Sequence, residues 1–282
     1  MKNSVKFSLV GASIVIVGVL LFLNISTVDA SETENSEIEI PEGCTRLVFA
    51  DEFEVNGAPD STKWRPEIGY VRNGELQYYT DGKNAWCENS ILYIQARADS
   101  TVIDGKECPV SSASLTTKGL KGWKYGYIEV RAKLPSFRGS WPAIWLMPTN
   151  DTYGGWPRSG EIDIMEHVGY EPENVHFAAH SERFNHIRGV QKNKTCHAPD
   201  CTDGFHIYGF RHTPDKLVWY YDGEEKFSVD KEKDADWTSW PFDEDFYLIL
   251  NLAVGGGWGG LKGVDISALP AEYLIDYVRV FE

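Results

Sequence analysis

The 282 residues are 42% hydrophobic and 13% aromatic, which excludes a chain that is mostly disordered. With 27 basic residues against 42 acidic ones the formal charge is -15 at pH 7, a balance that repels phosphate backbones and excludes nucleic acid as a partner. Ten Trp, fourteen Tyr and thirteen Phe stand against three Met, more indole than packing requires, and indole faces suit the flat apolar faces of sugar rings.

The chain opens with Lys2 and Lys6 ahead of uncharged, mostly apolar residues from Phe7 to Leu23, then small residues at Val28 and Ala30. Residues 1–30 therefore read as an export leader cleaved after Ala30, with a retained N-terminal membrane anchor as the alternative. Either way the remainder is expected to be secreted, periplasmic or extracellular, and the membrane is a partner only if the apolar segment is kept. Residues 31–42 carry five Glu and read as an acidic flexible tether. The five cysteines at 44, 87, 108, 196 and 201 all follow the leader, where oxidation is permitted, and Cys196 with Cys201 could close a small loop.

From residue 43 to 282 the sequence reads as one domain of short strands. Ser90–Ala98 and Tyr125–Leu134 alternate in polarity, and His206–Arg211, Leu217–Tyr221, Phe246–Ala253 and Leu274–Val280 are further candidates. Asn73-Gly, Asp81-Gly, Asp104-Gly, Asp203-Gly and Asp222-Gly mark turns between them. No long amphipathic helix stands out. The fold class expected is all-β, a β-sandwich jelly roll of two packed antiparallel sheets.

The densest chemistry lies in Gly160-Glu161-Ile162-Asp163-Ile164-Met165-Glu166-His167. With a period of two, Glu161 and Asp163 share one strand face while Ile162 and Ile164 enter the other. Glu166 breaks that parity and rejoins Glu161 only if a bulge near Met165 absorbs one residue. Three carboxylates on one face repel each other, which raises at least one pKa and supplies the general acid that glycoside hydrolysis needs beside a second carboxylate. A solvated acidic face or a cation site is the competing reading.

The motif GEIDIMEH resembles the catalytic strand of glycoside hydrolase family 16, in particular its laminarinase-like members. The resemblance extends through DEF at 51–53, NGELQYYT at 73–80, YGYIEVRAKLP at 125–135, WPAIWLMP at 141–148, FYLILNLAVGGGWGG at 246–260 and IDYVRVF at 275–281. It implies a concanavalin A-like jelly roll and a retaining endo-hydrolase of β-1,3-glucan, with mixed-linkage β-1,3/1,4-glucan as a further substrate, acting as a monomer. It also implies that Glu161 is the nucleophile, Glu166 the acid/base, Asp163 the residue tuning Glu161, and His180 the histidine facing the catalytic strand. Asn73 would hydrogen-bond sugar near the cleavage point. A structural calcium is implied near Glu52 and Asp276, with no cofactor in catalysis. A transglycosylase on the same site, a hydrolase of another polysaccharide such as agarose, and a non-catalytic glucan-binding protein are the alternatives.

Other residues are read on their own spacing. Trp141 and Trp145 share a face of an extended segment with Ala143 between them, room for a sugar ring against indole. Trp258 lies between glycines that permit close approach, and Trp156, five residues before the catalytic strand, would mark one end of the site. Arg131 shares parity with Glu129 and would bond a substrate hydroxyl or pair with a catalytic-strand carboxylate. His167 is assigned to packing and His176 held as a reserve for the site, while Trp64, Trp86, Trp123 and Trp219 are assigned to packing. Two departures from the family pattern are Arg211-His212, where relatives have Glu-Trp, and Tyr70-Val71-Arg72, where laminarinase relatives often have Trp-Gly-Asn. The second touches subsite shape and linkage preference.

Overall fold

The computed structural model describes residues 38–103 and 106–282, so the leader, most of the acidic tether and the Asp104-Gly turn lie outside the described residues. The strands are β1 (Leu47–Asp51), β2 (Arg65–Pro66), β3 (Gln77–Tyr79), β4 (Ala85–Glu88), β5 (Ile91–Ile103), β6 (Lys106–Ser112), β7 (Ser114–Thr116), β8 (Gly126–Lys133), β9 (Ser140–Pro148), β10 (Glu161–Glu166), β11 (Asn174–His180), β12 (Lys192–His197), β13 (His206–His212), β14 (Lys216–Tyr221), β15 (Glu224–Asp230), β16 (Phe246–Val254) and β17 (Ala271–Phe281). Two single-turn 3-10 helices, His186–Arg188 and Ile266–Ala268, complete the regular structure. Among the described residues no helix is long and apolar enough to cross a membrane.

Seven strands in the order β12-β11-β10-β9-β16-β7-β2 make one sheet. The other has ten and runs β15-β14-β13-β8-β17-β5-β6-β3, with β1 on β17 and β4 on β5. The expected sandwich of antiparallel sheets is the observed one, apart from a short parallel pairing of β3 with β6. Each alternating segment became a strand because one parity faces the partner sheet. On β8, Ile128, Val130 and Ala132 are buried, and so are Leu92, Ile94 and Ala96 on β5, against Ile144, Leu146, Leu248 and Leu250 of the seven-stranded sheet. At β16 all nine residues are buried. Phe246, Leu248, Leu250, Leu252 and Val254 join the core, and the opposite parity lies on the sheet's other face, beneath the polar cleft. The Asp222-Gly signal is realised in the hairpin between β14 and β15, where both residues adopt positive φ (50° and 79°), the backbone of a type I′ turn.

The end of the tether is tied down: Arg211 Nη2 on β13 donates to the main-chain oxygen of Glu42 at 2.7 Å. Beside it, His212 is buried among Tyr125, Phe210 and Phe246, filling an interior position behind the sheet. Trp64, Trp123 and Trp219 are core residues, whereas Trp86 stacks on Tyr93 at 5.0 Å. All five cysteines are free thiols. The small loop that Cys196 and Cys201 could close is left open, each sulfur facing a main-chain oxygen, of His197 and Pro172 respectively.

Candidate active site

The catalytic-strand geometry turns on one irregularity. On β9, Asp163 pairs with Trp145 but Met165 with Ile144, and on β11 Asp163 pairs with Ala178 but Glu166 with His176. One extra residue has been absorbed between Asp163 and Glu166. Ile164 and Met165 are both fully buried in the core, and Glu166 returns to the face that carries Glu161 and Asp163. A bulge strands a main-chain carbonyl that the ladder would otherwise satisfy. Here the indole N–H of Trp219, on β14 of the opposite sheet, donates to the Asp163 oxygen at 2.8 Å.

That face floors a cleft of about 830 Å³ lined by Arg72, Asn73, Glu75, Trp141, Trp145, Trp156, Glu161, Asp163, Glu166, His176, His180 and Trp258 among others. Antiparallel pairing puts His180 directly across from Glu161. Its Nε2 lies 3.2 Å from Asp163 Oδ2 and 3.7 Å from Glu161 Oε1. Small Ala143 and Ala178 flank the carboxylates and keep the floor open. The indole of Trp141 donates to Glu166 Oε1 at 2.9 Å. Trp145 donates to Asn251 Oδ1 at 2.7 Å, and Asn251 in turn to the Tyr79 hydroxyl at 3.0 Å.

Glycine positions the loop that carries Trp258. Gly256 has φ of 74°, and an added Cβ would stand 3.0 Å from Glu75 Cγ and 3.2 Å from the Asn73 oxygen. The loop therefore packs against the 73–75 turn, where Gly257 donates its N–H to the Asn73 oxygen at 3.0 Å. The Trp258 ring meets Trp141 edge-on at 5.6 Å and His176 at 4.8 Å.

All three carboxyls are pushed up, to about 8, and burial is the main cause for each. The charge of Asp163 adds to the rise at Glu161 and Glu166, while His180 opposes it at both and the Trp141 N–H opposes it at Glu166. So many buried carboxyls cannot all ionise together near neutrality, which divides them into proton holders and anions. Glu161, Asp163 and His180 bring donor atoms within 4.8 Å of one another, a set that could also hold a cation.

Of the residues expected in the site, Glu161, Asp163, Glu166, Asn73, Trp141, Trp145, Trp156, His180 and Trp258 are brought together in the cleft. Arg131 is not. It keeps parity with Glu129, but β8 belongs to the opposite sheet and that parity faces away from the core. Its guanidinium pairs with Asp276 and lies 5.0 Å from the Phe205 ring. Glu52, directly after β1, and Asp276 of β17 belong to the ten-stranded sheet and lie outside the cleft. Glu52 is gripped by Arg279 at 2.8 and 2.9 Å and Asp276 by Arg131, so both carboxylates already have guanidinium partners; the calcium implied near them would draw on main-chain oxygens around Glu52 together with Asp276. His167 is buried with Nε2 against the Pro172 oxygen, and burial pushes its pKa down to about 4, consistent with packing.

Glu75 and Asn251, which also line the cleft, were not singled out from the sequence, and Arg72 only within the Tyr70-Val71-Arg72 departure. Asn251 had a signal: it is the lone polar residue in FYLILNLAV and shares the parity of Tyr247 and Ile249. Glu75 also had one, as a charge alternating into a strand start. It is buried, its pKa pushed up by burial against the pull of Arg72, and held by Gln77 at 2.6 Å and Asn73 at 3.2 Å.

Residues 75–279 match the family described as Glycosyl hydrolases family 16. A beta-glucanase of Rhodothermus marinus is 44% identical over 245 residues, spanning 83% of this chain and 84% of that one. The solved laminarinase of Rhodothermus marinus superposes with a TM-score of 0.80 at 44% identity over 84% of this chain and 96% of that chain. SCLam, a non-specific endo-beta-1,3(4)-glucanase, superposes with a TM-score of 0.81 at 42% identity over 87% of this chain and 93% of its own. With a bulged three-carboxylate strand at the floor of an indole-lined cleft and these matches across the domain, the chain belongs to glycoside hydrolase family 16.

Proposed function

We propose that this protein is an endo-acting β-1,3-glucanase that also cuts mixed-linkage β-1,3/1,4-glucan, with retention of configuration. The observation that carries the reading is the bulge, which returns Glu166 to the face of Glu161 and gives the cleft two carboxyls in different surroundings. Glu161 attacks the anomeric carbon while Glu166 gives its proton to the departing glycosidic oxygen, leaving a glycosyl ester on Glu161. Glu166, now anionic, takes a proton from water, which displaces the sugar from Glu161 and restores both carboxyls.

Asp163 holds a proton against Glu161, and His180 holds the pair in place from β11. Their closeness favours one negative charge shared between the two carboxyls, so that Glu161 is anionic when a sugar arrives. Trp141 keeps Glu166 pointed at the leaving oxygen. Trp156 and Trp258 supply flat apolar surface. Internal cutting of a long chain is the mode proposed, as in SCLam, the endo-beta-1,3(4)-glucanase this chain resembles. The leader at residues 1–30 fits a substrate too large to be taken up before cleavage, so the enzyme acts outside the cell membrane, released or anchored. A structural calcium on main-chain oxygens near Glu52 and on Asp276 would have no part in the chemistry, which needs carboxylates and no Lewis acid.

Product profiles on laminarin, mixed-linkage glucan, agarose and xyloglucan test the assignment. Rapid release of oligosaccharides from the first two is expected. Cleavage confined to agarose, or early release of glucose alone from laminarin, would replace it.

A further inference from the structure

Arg72 lines the cleft, yet no role above uses it. Its guanidinium carbon lies 4.8 Å from the Trp145 ring centre, over the ring, and 6.0 Å from that of Tyr79. Nη2 donates to Glu67, and the same Glu67 oxygen accepts from Ser114 Oγ at 2.6 Å. Nη1 is buried without a hydrogen-bond partner, as expected of a donor turned onto an aromatic face. The indole beneath is fixed from its edge by Asn251, itself fixed by Tyr79. Both layers of this stack are thus anchored independently.

Two flat groups cannot share one aromatic face. We propose that Arg72 is a specificity-determining residue: by occupying the face of Trp145 it ends the sugar-stacking surface of the cleft on the β9–β16 side. A chain that runs straight on from the catalytic carboxylates toward Trp145 meets the guanidinium, whereas one that curves away does not. β-1,4-linked glucose runs as an extended ribbon and β-1,3-linked glucose curves, so Arg72 disfavours 1,4-linked stretches in that arm. The charge of Arg72 is already opposed by Glu67 and Glu75, which leaves no net positive site for an anionic sugar. The selection is therefore by shape. This inference rests on the cleft being the glucan site proposed above.

The test pairs Arg72→Gly with Glu67→Gln, so that no buried carboxylate is left without its partner. KM and kcat are measured on mixed-linkage glucan and on laminarin. Baring the indole is expected to lower KM for mixed-linkage glucan relative to laminarin by about 2- to 10-fold, the range of one aromatic contact. Equal increases in KM on both substrates would overturn the proposal by making Arg72 a direct sugar donor, and an unchanged ratio would overturn it outright. Arg72→Lys, which keeps the charge but loses the flat fork, must move the ratio in the same direction by a smaller factor, and it carries the test alone if the double variant does not fold. Glu161→Gln measured alongside separates the two levels: full activity in that variant would remove the site assignment itself, whatever the ratio does.

Discussion

Glu161, Asp163 and Glu166 hold their protons more tightly folded than unfolded, because burial disfavours their charged forms. Folded pKa values raised from the ordinary 3.8–4.5 to about 8 mean that the native state binds more protons between those limits. Stability therefore falls as pH rises through that window. Glu161→Gln keeps the size and removes one ionisation. It should abolish catalysis, by about 10³-fold or more, yet raise the melting temperature at pH 8 by a few degrees, roughly 2–4 °C per kcal/mol. The gain should shrink toward pH 5, where wild type is protonated too. Melting curves at the two pH values check this, and a variant less stable at both would contradict it. Trp141→Phe tests the acid. The indole N–H stabilises ionised Glu166, so without it the carboxyl holds its proton to higher pH, and the alkaline limb of kcat/KM should shift upward. An unmoved limb would take Trp141 off the acid.

At the scale of elements, the bulge in β10 is the device that makes three carboxylates one site, and it is held from behind by Trp219. Trp219→Phe keeps an aromatic ring but removes the indole donor to the Asp163 carbonyl, a loss of about 1–3 kcal/mol before the added cost of the smaller ring in the core. Denaturant melts measure the loss. A fall in kcat beyond that expected from unfolded protein is the second expected outcome, since Glu166 is aimed by the bulge. Gly256→Ala should be costly for another reason: its φ of 74° strains any side chain, and the new methyl presses on Glu75. A stability loss of roughly 1 kcal/mol or more with raised KM is expected, read by melting and by kinetics on laminarin.

The strands and the bulge were legible because period-two patterning reports which parity is buried, and because Glu166 breaks that pattern beside a motif that otherwise keeps it. Trp219 was legible only as a core residue. Its bond to the Asp163 carbonyl spans two sheets and leaves no local mark.

For the molecule as a whole, the cleft floor belongs to one sheet and the Arg131–Asp276 and Arg279–Glu52 pairs to the other. Parity tells which face of a strand a residue occupies, but not which sheet the strand joins. Arg131 was placed on the right parity and the wrong side of the sandwich for this reason. Glu52 and Asp276 meet their partners Arg279 and Arg131 only when β1, β8 and β17 align, a pairing that their distance in sequence hides. The cleft residues were found more completely because aromatic and carboxylate positions cluster in a few motifs. Asn251 escaped because it acts through Trp145 rather than through a motif of its own, and Arg72 was marked only as a departure from the family pattern, its place over the same indole leaving no local signal.

Double displacement requires Glu161 and Glu166 to act as nucleophile and acid on one glycosidic bond. A retaining pair stands about 5.5 Å apart, which leaves no room for water between the attacking oxygen and the anomeric carbon, and the bulge that brings Glu166 to the face of Glu161 is the geometry such a pair needs. Proton NMR of the reducing end released from laminarin, recorded before mutarotation, reads the outcome directly. The β anomer should appear first and the α anomer only later. An initial α anomer would contradict the double displacement and require a different pair of residues.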